Sequence, residues 1–384
     1  MHLGFIGVLA LAMTLLGSVH YYLARRLCQW VRYFAPKFPG WIFPLVLGLL
    51  MISIVLGFAR SMLEAAPGIK HFFGTVMACW MGVFIYLFLF FAVADLLLLV
   101  AKLLKLIPLQ THQLARFVAG SAAMGLSLIT CVYGFHHAAQ TKIVRYELPL
   151  MEDAQQMHIV LISDVHLGAA GSEARLLEMV EEINALQPDI VCIAGDFFDS
   201  DFGAIRNPDK AVKTLQNLQA TYGVYASLGN HDAGSTYLQM QDFLRRSNIR
   251  LLNDEYVVID HRLVLVGRLD GSPIGGYGDS TRMPIPEVLK GLDDELPVVV
   301  MDHNPANMDE YTDEVDLILS GHTHKGQIFP GSLITGRMYT VDHGHYQKDP
   351  DSPHVIVTSG FGTWGMPMRV GTDSEILSIR LISK

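Results

Sequence analysis

The hydrophobic pattern divides the chain into two parts of different kinds. Up to about residue 140, four long apolar runs contain almost no polar residue, whereas a buried helical domain would show polar faces at helical period. Each run approaches or exceeds the ~20 residues that an α-helix needs to cross the hydrocarbon core of a bilayer. We therefore predict a transmembrane region at 1–140 with four helices, at about 3–23, 41–58, 72–100 and 117–135.

The pattern changes beyond residue 140 to short β-like runs that alternate with amphipathic segments. We predict strands at 158–163, 190–194, 224–228, 256–260, 263–266, 297–301, 317–319, 354–359 and 376–382. Helix-like stretches at 173–186 and 210–220 separate the first three strands, so this region opens as β-α-β-α-β. The later strands lack long helices between them, which indicates a mixed sheet or a two-sheet α/β sandwich. We place a linker at 141–154 and one domain at 155–384.

Charge separates the same two parts. Residues 1–150 contain 11 basic and three acidic residues, a balance of +8, and the remaining residues have a balance of −17. The acidic part excludes a nucleic-acid-binding protein that works through a broad basic face. Asp95 is the one acid within an apolar run, and we expect Lys102 and Lys105, which follow near the predicted helix end, to balance its charge.

The distribution of basic residues predicts the sidedness of the membrane part, since short loops rich in Lys and Arg stay cytoplasmic. Seven basic residues lie between the first and second runs or between the third and fourth. Four lie between the second and third runs or directly after the fourth. We expect a multi-pass protein of a bacterial inner membrane, with both termini and the acidic domain facing outward.

Polar residues gather directly after the predicted strands, where ligands bind in open α/β folds. Burying so many polar groups at one sheet edge costs several kcal/mol unless something satisfies them. Oxygen and imidazole ligands without thiolate suit Mn, Fe or Zn in a catalytic site. Seven ligands are too many for one tetrahedral ion and predict two ions with a bridging carboxylate. The candidate ligands are Asp164, His166, Asp196, Asn230, His303, His322 and His324.

The order of these clusters is Asp-x-His, Gly-Asp-x-x-Asp, Gly-Asn-His-Asp, His and Gly-His-x-His, and it resembles the calcineurin-like metallophosphoesterases over about residues 155–384. The resemblance implies an all-α transmembrane bundle followed by an α/β four-layer sandwich. It also implies hydrolysis of a phosphate ester or pyrophosphate bond by metal-activated hydroxide. One metal would be held by Asp164, His166, Asp196 and His324, and the other by Asp196, Asn230, His303 and His322. His231 matches the catalytic histidine of the family, and Asp199 matches the carboxylate that orients it.

The C-terminal motifs resemble the multi-pass membrane branch of this family. Gly-His-Thr-His-x-Gly-Gln-Ile occupies 321–328, and Gly-x-Gly-x-x-x-x-Pro-x-Arg occupies 360–369. Two residues depart from that branch: Lys325 stands where Gly is common, and Ser374 stands where Pro is usual before Glu375. Lys325 and Arg369 are candidate substrate-binding residues; the alternatives are an exposed turn lysine and an arginine paired with an acid.

The preferred function is that of a membrane-anchored phosphoesterase acting on a membrane lipid, a lipid-linked phosphate or another membrane-proximal substrate, because four helices keep the site near the bilayer. A pyrophosphate hydrolase of the UDP-2,3-diacylglucosamine type, from lipid A synthesis, and a soluble phosphodiesterase are alternatives. Ser200 follows Asp199 where Ser/Thr protein phosphatases carry Arg, which argues against that class. The non-enzyme alternative is a membrane sensor or scaffold with an inactive domain, against which the intact ligand set argues.

Overall fold

The structure is a computed structural model that describes residues 2–58, 67–106, 108–151, 156–292 and 296–383. The chain divides into two compact units, Met1–Gly134 and Phe135–Lys384. Each unit has its own set of buried hydrophobic residues.

The N-terminal unit consists of apolar helices. Their bounds are α1 (His2–Phe34), α2 (Ile42–Phe58), α3 (Pro67–Leu103) and α4 (His112–Ala138). Three segments are long and apolar enough to cross a membrane, namely Gly7–Phe34, Gly68–Leu103 and His112–Ala138. At 17 residues, α2 is shorter than the ~20 that a perpendicular span requires. The expectation of an apolar helical bundle is confirmed. Three of its helices are long and apolar enough to span a bilayer, and the crossing of α2, which the expectation of four transmembrane helices requires, stays a prediction.

Asp95 is paired with the first helix. Its Oδ1 lies 2.8 Å from Nη2 of Arg26, and the hydroxyl of Tyr22 donates a 2.7 Å hydrogen bond to its Oδ2. The expectation that Lys102 balances the charge of Asp95 was wrong, because Arg26 forms the ion pair instead. Lys102 lies seven positions after Asp95 in the same helix, which is about 10.5 Å along the axis, whereas Arg26 approaches from the neighbouring helix.

The C-terminal unit contains twelve strands and five α-helices within the described residues. The strands are β1 (Thr141–Met151), β2 (Met157–Ile162), β3 (Ile190–Ala194), β4 (Val224–Ser227), β5 (Ile249–Leu251), β6 (Glu255–Ile259), β7 (Leu263–Gly267), β8 (Val298–Met301), β9 (Leu317–Ser320), β10 (Gly344–Tyr346), β11 (His354–Val357) and β12 (Ser374–Ser383). The helices are α5 (Ser172–Ala185), α6 (Pro208–Leu215), α7 (Tyr237–Arg246), α8 (Ile285–Val288) and α9 (Gly331–Met338).

These strands form two six-stranded sheets, with the orders β1-β12-β2-β3-β4-β5 and β10-β11-β9-β8-β7-β6. The two sheets pack against each other through fully buried side chains such as Leu161, Leu265 and Leu319. Helices α5, α6 and α7 cover the other face of the first sheet, where Met179 and Phe243 are buried. Since α8 and neighbouring segments cover the second sheet, the unit has four layers, as the family resemblance implies.

The segment predicted as a linker at 141–154 instead contains the long strand β1. It pairs in parallel with β12, from Thr141 opposite Ser374 onward. The charged residues Lys142, Arg145 and Glu147 give this strand a polar appearance, as is common for an edge strand. Its partner lies more than 200 residues away along the chain, so a local pattern carries no sign of the pairing.

Candidate metal centre

The five predicted clusters follow β2, β3, β4, β8 and β9, and backbone contacts join the loops in which they lie. The N–H of Asp164 donates to the carbonyl of Gly195 at 3.1 Å, and the N–H of Gly321 donates to the carbonyl of His303 at 2.9 Å. Gly195 has a φ of +76°, and a Cβ there would lie 2.7 Å from Cβ of His303. Glycine at this position therefore lets a loop of the first sheet approach a loop of the second.

The first group of ligand atoms consists of Asp164, His166 and His324, all of which are buried. Nε2 of His324 lies 3.1 Å from Nε2 of His166 and 3.3 Å from Oδ1 of Asp164. The three side chains therefore direct ligand atoms toward one another from two separate loops.

The second group consists of Asp196, His303 and His322. Nε2 of His303 lies 3.1 Å from Oδ2 of Asp196 and 3.3 Å from Nδ1 of His322. Oδ1 of Asn230 lies 2.9 Å from the same Nδ1 of His322, so the amide joins this group.

Asp196 lies between the two groups. Its Oδ2 is 3.1 Å from Nε2 of His303 and 3.9 Å from Nε2 of His166. Its Oδ1 accepts a 2.8 Å hydrogen bond from the backbone N–H of His231. One carboxylate thus contacts both groups, which is the position of a bridging ligand.

These residues fit two divalent ions by the chemistry of their donor atoms. Carboxylate, amide and imidazole donors without thiolate suit Mn, Fe or Zn. Ligand atoms that share one ion at about 2.0–2.2 Å are about 3 Å apart. The contacts of 3.1 Å between His166 and His324 and of 3.1 Å between Asp196 and His303 match that spacing.

Electrostatics hold one carboxylate and one imidazole of the site in the form that binds metal. Burial alone would raise the pKa of Asp164, but His324, His303 and His166 outweigh it and hold that pKa well below its usual range. Burial lowers the pKa of His322 to about 4, and His303 adds to the effect. At neutral pH the carboxylate is therefore charged and the His322 imidazole neutral, as metal ligands must be.

The backbone of the predicted ligands is unusual. Left-handed φ values between 48° and 69° occur at five of the seven, namely Asp164, His166, Asp196, His322 and His324. For a residue with a side chain this conformation costs roughly 1–2 kcal/mol. Strain of this kind concentrates at functional sites, where the surrounding structure maintains it. The strained backbone therefore identifies the same loops as the functional site that the metal-binding side chains identify.

His231 lies beside these ligands, and both Ser200 and Asp199 lie near its ring. Ser200 Oγ lies 2.5 Å from Nδ1 of His231. Asp199 places Oδ1 3.6 Å from Nδ1 of His166, and the ligand atoms of Asp199, His166 and His231 all lie within 4.8 Å of one another. Ser200 therefore supplies a contact to Nδ1 of His231 that the sequence did not predict, and the role of Asp199 in orienting His231 stays a prediction.

Asp232 is a buried residue of the site that sequence reasoning did not assign. Its carboxylate accepts hydrogen bonds from the N–H of Phe198 at 2.8 Å and of Gly229 at 2.9 Å. It therefore joins the loop after β3 to the loop after β4. Burial raises the pKa of Asp232 to about 7, and the nearby charge of Asp196 adds to the effect.

Of the two candidate substrate-binding residues, Arg369 lies beneath a loop and does not line the pocket at the metal centre. It is 0% exposed, and its Nη2 donates to the carbonyls of Ser359, Gly360 and Gly362 at 2.7, 3.0 and 2.7 Å. A guanidinium enclosed in this way holds a loop and does not meet substrate, so that prediction was wrong. Lys325 is half-buried in the turn His324–Gly326, and its role in substrate binding stays a prediction.

A pocket of about 510 Å³ opens at the metal centre. Six predicted site residues line it: His166, Asp196, Asn230, His231, His322 and His324. Its other lining includes the large apolar side chains Ile274, Ile328, Ile334, Met338, Trp364 and Met366. The cavity thus combines a cluster of metal ligands with an apolar wall.

Comparison with known proteins reveals relatives of the same type. The family described as calcineurin-like phosphoesterase matches residues 157–326. A transmembrane protein with metallophosphoesterase domain from Danio rerio is 28% identical over 398 residues, covering 96% of this chain and 87% of its own length. An uncharacterized metallophosphoesterase from Aquifex aeolicus is 32% identical over 265 residues, covering 67% of this chain and 98% of its own length. The solved structure of TT1561 of Thermus thermophilus is 11% identical, covers 54% of this chain and 92% of its own, and has a TM-score of 0.36.

Proposed function

The chain belongs to the calcineurin-like phosphoesterase family and is therefore a metal-dependent phosphoester hydrolase. We propose that it cleaves a phosphate ester or pyrophosphate bond of a lipid-linked or membrane-proximal substrate. The observation that carries this proposal is the shared position of Asp196 between two groups of ligand atoms that line one pocket with His231. A two-metal phosphoesterase needs these parts.

The chain's own residues would divide the work as follows. The ligands Asp164, His166, Asp196 and His324 would hold one ion, and Asp196, Asn230, His303 and His322 the other. When bound, the two ions would neutralise the phosphoryl oxygens and lower the pKa of a nucleophilic water. We propose Mn, Fe or Zn from the donor set.

His231 would act on the leaving oxygen. If the Ser200 hydroxyl donates to Nδ1, the ring proton lies on Nε2, where it can form a hydrogen bond to the leaving oxygen; transfer of a proton would require the imidazolium form of the ring. Burial lowers the pKa of His231, so the ring is neutral at neutral pH and carries one proton. The hydrogen bond from its backbone N–H to Asp196 ties its position to the bridging carboxylate.

Membrane insertion supports the substrate class. Three helices of the N-terminal unit are long and apolar enough to span a bilayer, and the relative from Danio rerio is named a transmembrane protein. A site tethered to a membrane meets membrane-bound phosphates at high effective concentration. We propose a bacterial inner membrane protein, and the distribution of basic residues supports a C-terminal unit that faces outward.

The test is hydrolysis by the full-length protein in detergent. Metal-free protein is loaded with Mn²⁺, Fe²⁺ or Zn²⁺ and assayed with p-nitrophenyl phosphate, bis-p-nitrophenyl phosphate, and a panel of lipid and nucleotide phosphates. We expect two ions per chain, turnover that chelator abolishes, and preference for lipid phosphates. Two bound ions without turnover of any substrate would favour the sensor or scaffold, whereas preference for nucleotides would remove the lipid-linked class.

A further inference from the structure

The helix α9, which borders the pocket, exposes its large apolar side chains. Leu333 is 59% exposed, Ile334 60% and Met338 69%, and the structure describes all eight residues of α9 and finds none of them buried. A surface helix ordinarily turns its apolar stripe toward the core. The large apolar side chains of α9 are therefore mostly exposed to solvent rather than packed into the core of the C-terminal unit.

The apolar surface is continuous with the metal centre. Ile334 and Met338 of α9 line the pocket that His322 and His324 also line. Trp364, which is 48% exposed, lines the same pocket. One cavity therefore presents ligands for divalent ions and an apolar wall to the same occupant.

Hydrogen bonds hold this wall in place. Thr335 of α9 donates to Oδ2 of Asp342 at 2.7 Å, and Thr323, which precedes the ligand His324, donates to the carbonyl of Asp342 at 2.5 Å. Asp342 thus links α9 to the loop that carries two metal ligands.

The segment around Trp364 is held by a buried amide. Gln327 Nε2 donates to the carbonyls of Trp364 and Met366 at 2.9 Å each, while its Oε1 accepts from the N–H of Trp364 at 2.7 Å. Since Arg369 fixes the carbonyls of the preceding loop, both sides of the apolar wall are pre-organised.

We propose that α9 and Trp364 form a chain-binding subsite, which holds a hydrocarbon chain of the substrate while its phosphate lies at the metal ligands. This inference rests on the proposed function and adds the residues that select the substrate. The cavity has a cation-binding part and an apolar part, so its occupant must be amphiphilic. A phosphate suits the cation-binding part, and a saturated or isoprenoid chain suits the apolar wall. A phosphate without a chain would leave Ile334 and Met338 in water.

The test measures binding of alkylphosphonates, whose C–P bond resists hydrolysis. Full-length protein loaded with Mn²⁺ is titrated with methyl-, butyl- and hexylphosphonate by calorimetry. A buried methylene tightens binding about twofold to fourfold, so hexylphosphonate should bind at least about 30-fold more tightly than methylphosphonate. The double variant Ile334→Gln/Met338→Gln should bind methylphosphonate like wild type and lose most of the gain with chain length.

Leu177→Gln is the matched control. Leu177 is 58% exposed on α5, close to the 60% of Ile334, and is not a pocket residue. Because every variant is measured in the same detergent, partition of the ligand into micelles cancels in the comparison. The control should keep the full gain with chain length.

The outcomes separate the inference from the proposed function. If wild type binds methylphosphonate and hydrolyses p-nitrophenyl phosphate but shows no gain with chain length, or the double variant keeps that gain, the subsite is overturned and the hydrolase stands. A double variant that changes only the oligomeric state would assign α9 to contact between copies, which also overturns the subsite. Absence of both phosphonate binding and hydrolysis in wild type would overturn the proposed function, and the subsite with it.

Discussion

Ser200 Oγ lies 2.5 Å from Nδ1 of His231, so the residue directly after Asp199 orients the ring proposed to meet the leaving group. A hydrogen bond of this kind contributes about 0.5–1.5 kcal/mol, which corresponds to about twofold to tenfold in rate. Ser200→Ala should therefore lower kcat by that factor with KM and metal content unchanged. Ser200→Asn, which tolerates the positive φ of 61° at this position and keeps a polar group, should recover part of the loss. A change confined to KM would show that Ser200 acts on substrate binding instead.

His231→Ala should separate catalysis from metal binding. We expect the metal content to stay near two ions per chain while turnover falls by roughly 10²–10⁴, the usual effect of removing a positioned proton donor. Elemental analysis and steady-state kinetics on the same preparation check both quantities. Loss of metal in this variant would make His231 a ligand and contradict its assignment.

Asp196→Asn should empty or weaken both metal positions, because a neutral amide is a poor bridge between two cations. Asp189→Asn is the control: Asp189 directly precedes β3, Asp196 follows it, and Asp189 accepts a 2.8 Å hydrogen bond from the N–H of His158. The control should keep two ions per chain. Full occupancy together with good activity in Asp196→Asn would contradict the two-metal site.

Glu375 should make stability depend on pH. Burial raises its pKa, but His343, the N–H of Ser359 at 2.8 Å and the hydroxyl of Thr358 at 2.9 Å outweigh it, so the pKa lies below its ordinary value of 4.5. The carboxylate therefore stabilises the fold above about pH 4.5, and this contribution is lost as pH falls through the lowered pKa.

Glu375→Gln should consequently lower Tm more at pH 7 than at pH 4, as followed by near-ultraviolet circular dichroism of the full chain. Hydrogen bonds to a charged group contribute about 1.5–3 kcal/mol, which sets the scale of the effect at pH 7. Glu287→Gln, at an exposed position of α8, controls for the substitution itself. An equal loss at both pH values would show that the charge of Glu375 does not contribute.

The sidedness of the C-terminal unit is tested with reporters fused after Lys384. Alkaline phosphatase is active only outside the cytoplasm, while green fluorescent protein exported unfolded stays dark. We expect an active phosphatase fusion and a dark fluorescent one, because the connections expected to be cytoplasmic carry seven basic residues against four on the other side. A bright fluorescent fusion with inactive phosphatase would place the unit in the cytoplasm and favour the lipid-precursor alternative.

Sequence patterns predicted local elements well and long-range contacts poorly. The strand at 190–194 has the predicted bounds, because a continuous apolar run ends at Gly195. Helix α9 was missed because Gly331, Ser332 and Gly336 are weak helix formers, and tertiary hydrogen bonds to Asp342 support it instead.

The candidate site shows the same division. Residue type and order predicted which ligands converge. The ends of neighbouring strands bring these residues together, and this does not depend on the detailed conformation of the loops. Ser200 was missed because its partner His231 lies on another loop, 31 positions along the chain. Arg369 was misjudged because a sequence does not show whether a long side chain points into a cavity or beneath the loop that borders it.

The position of β12 has a consequence for the order of events during synthesis. In the first sheet β12 lies between β1 and β2, so neither of these strands reaches its neighbour on that side until residues 374–383 have been made. Pairings between such distant segments form slowly. The attachment of β1 to the first sheet would therefore be completed only at the end of translation, whereas β2, β3, β4 and β5 can pair with one another earlier. Removal of residues 374–383 should leave β1 without its partner strand and β2 at an exposed sheet edge, and limited proteolysis should then cut the chain near β1 faster than in wild type.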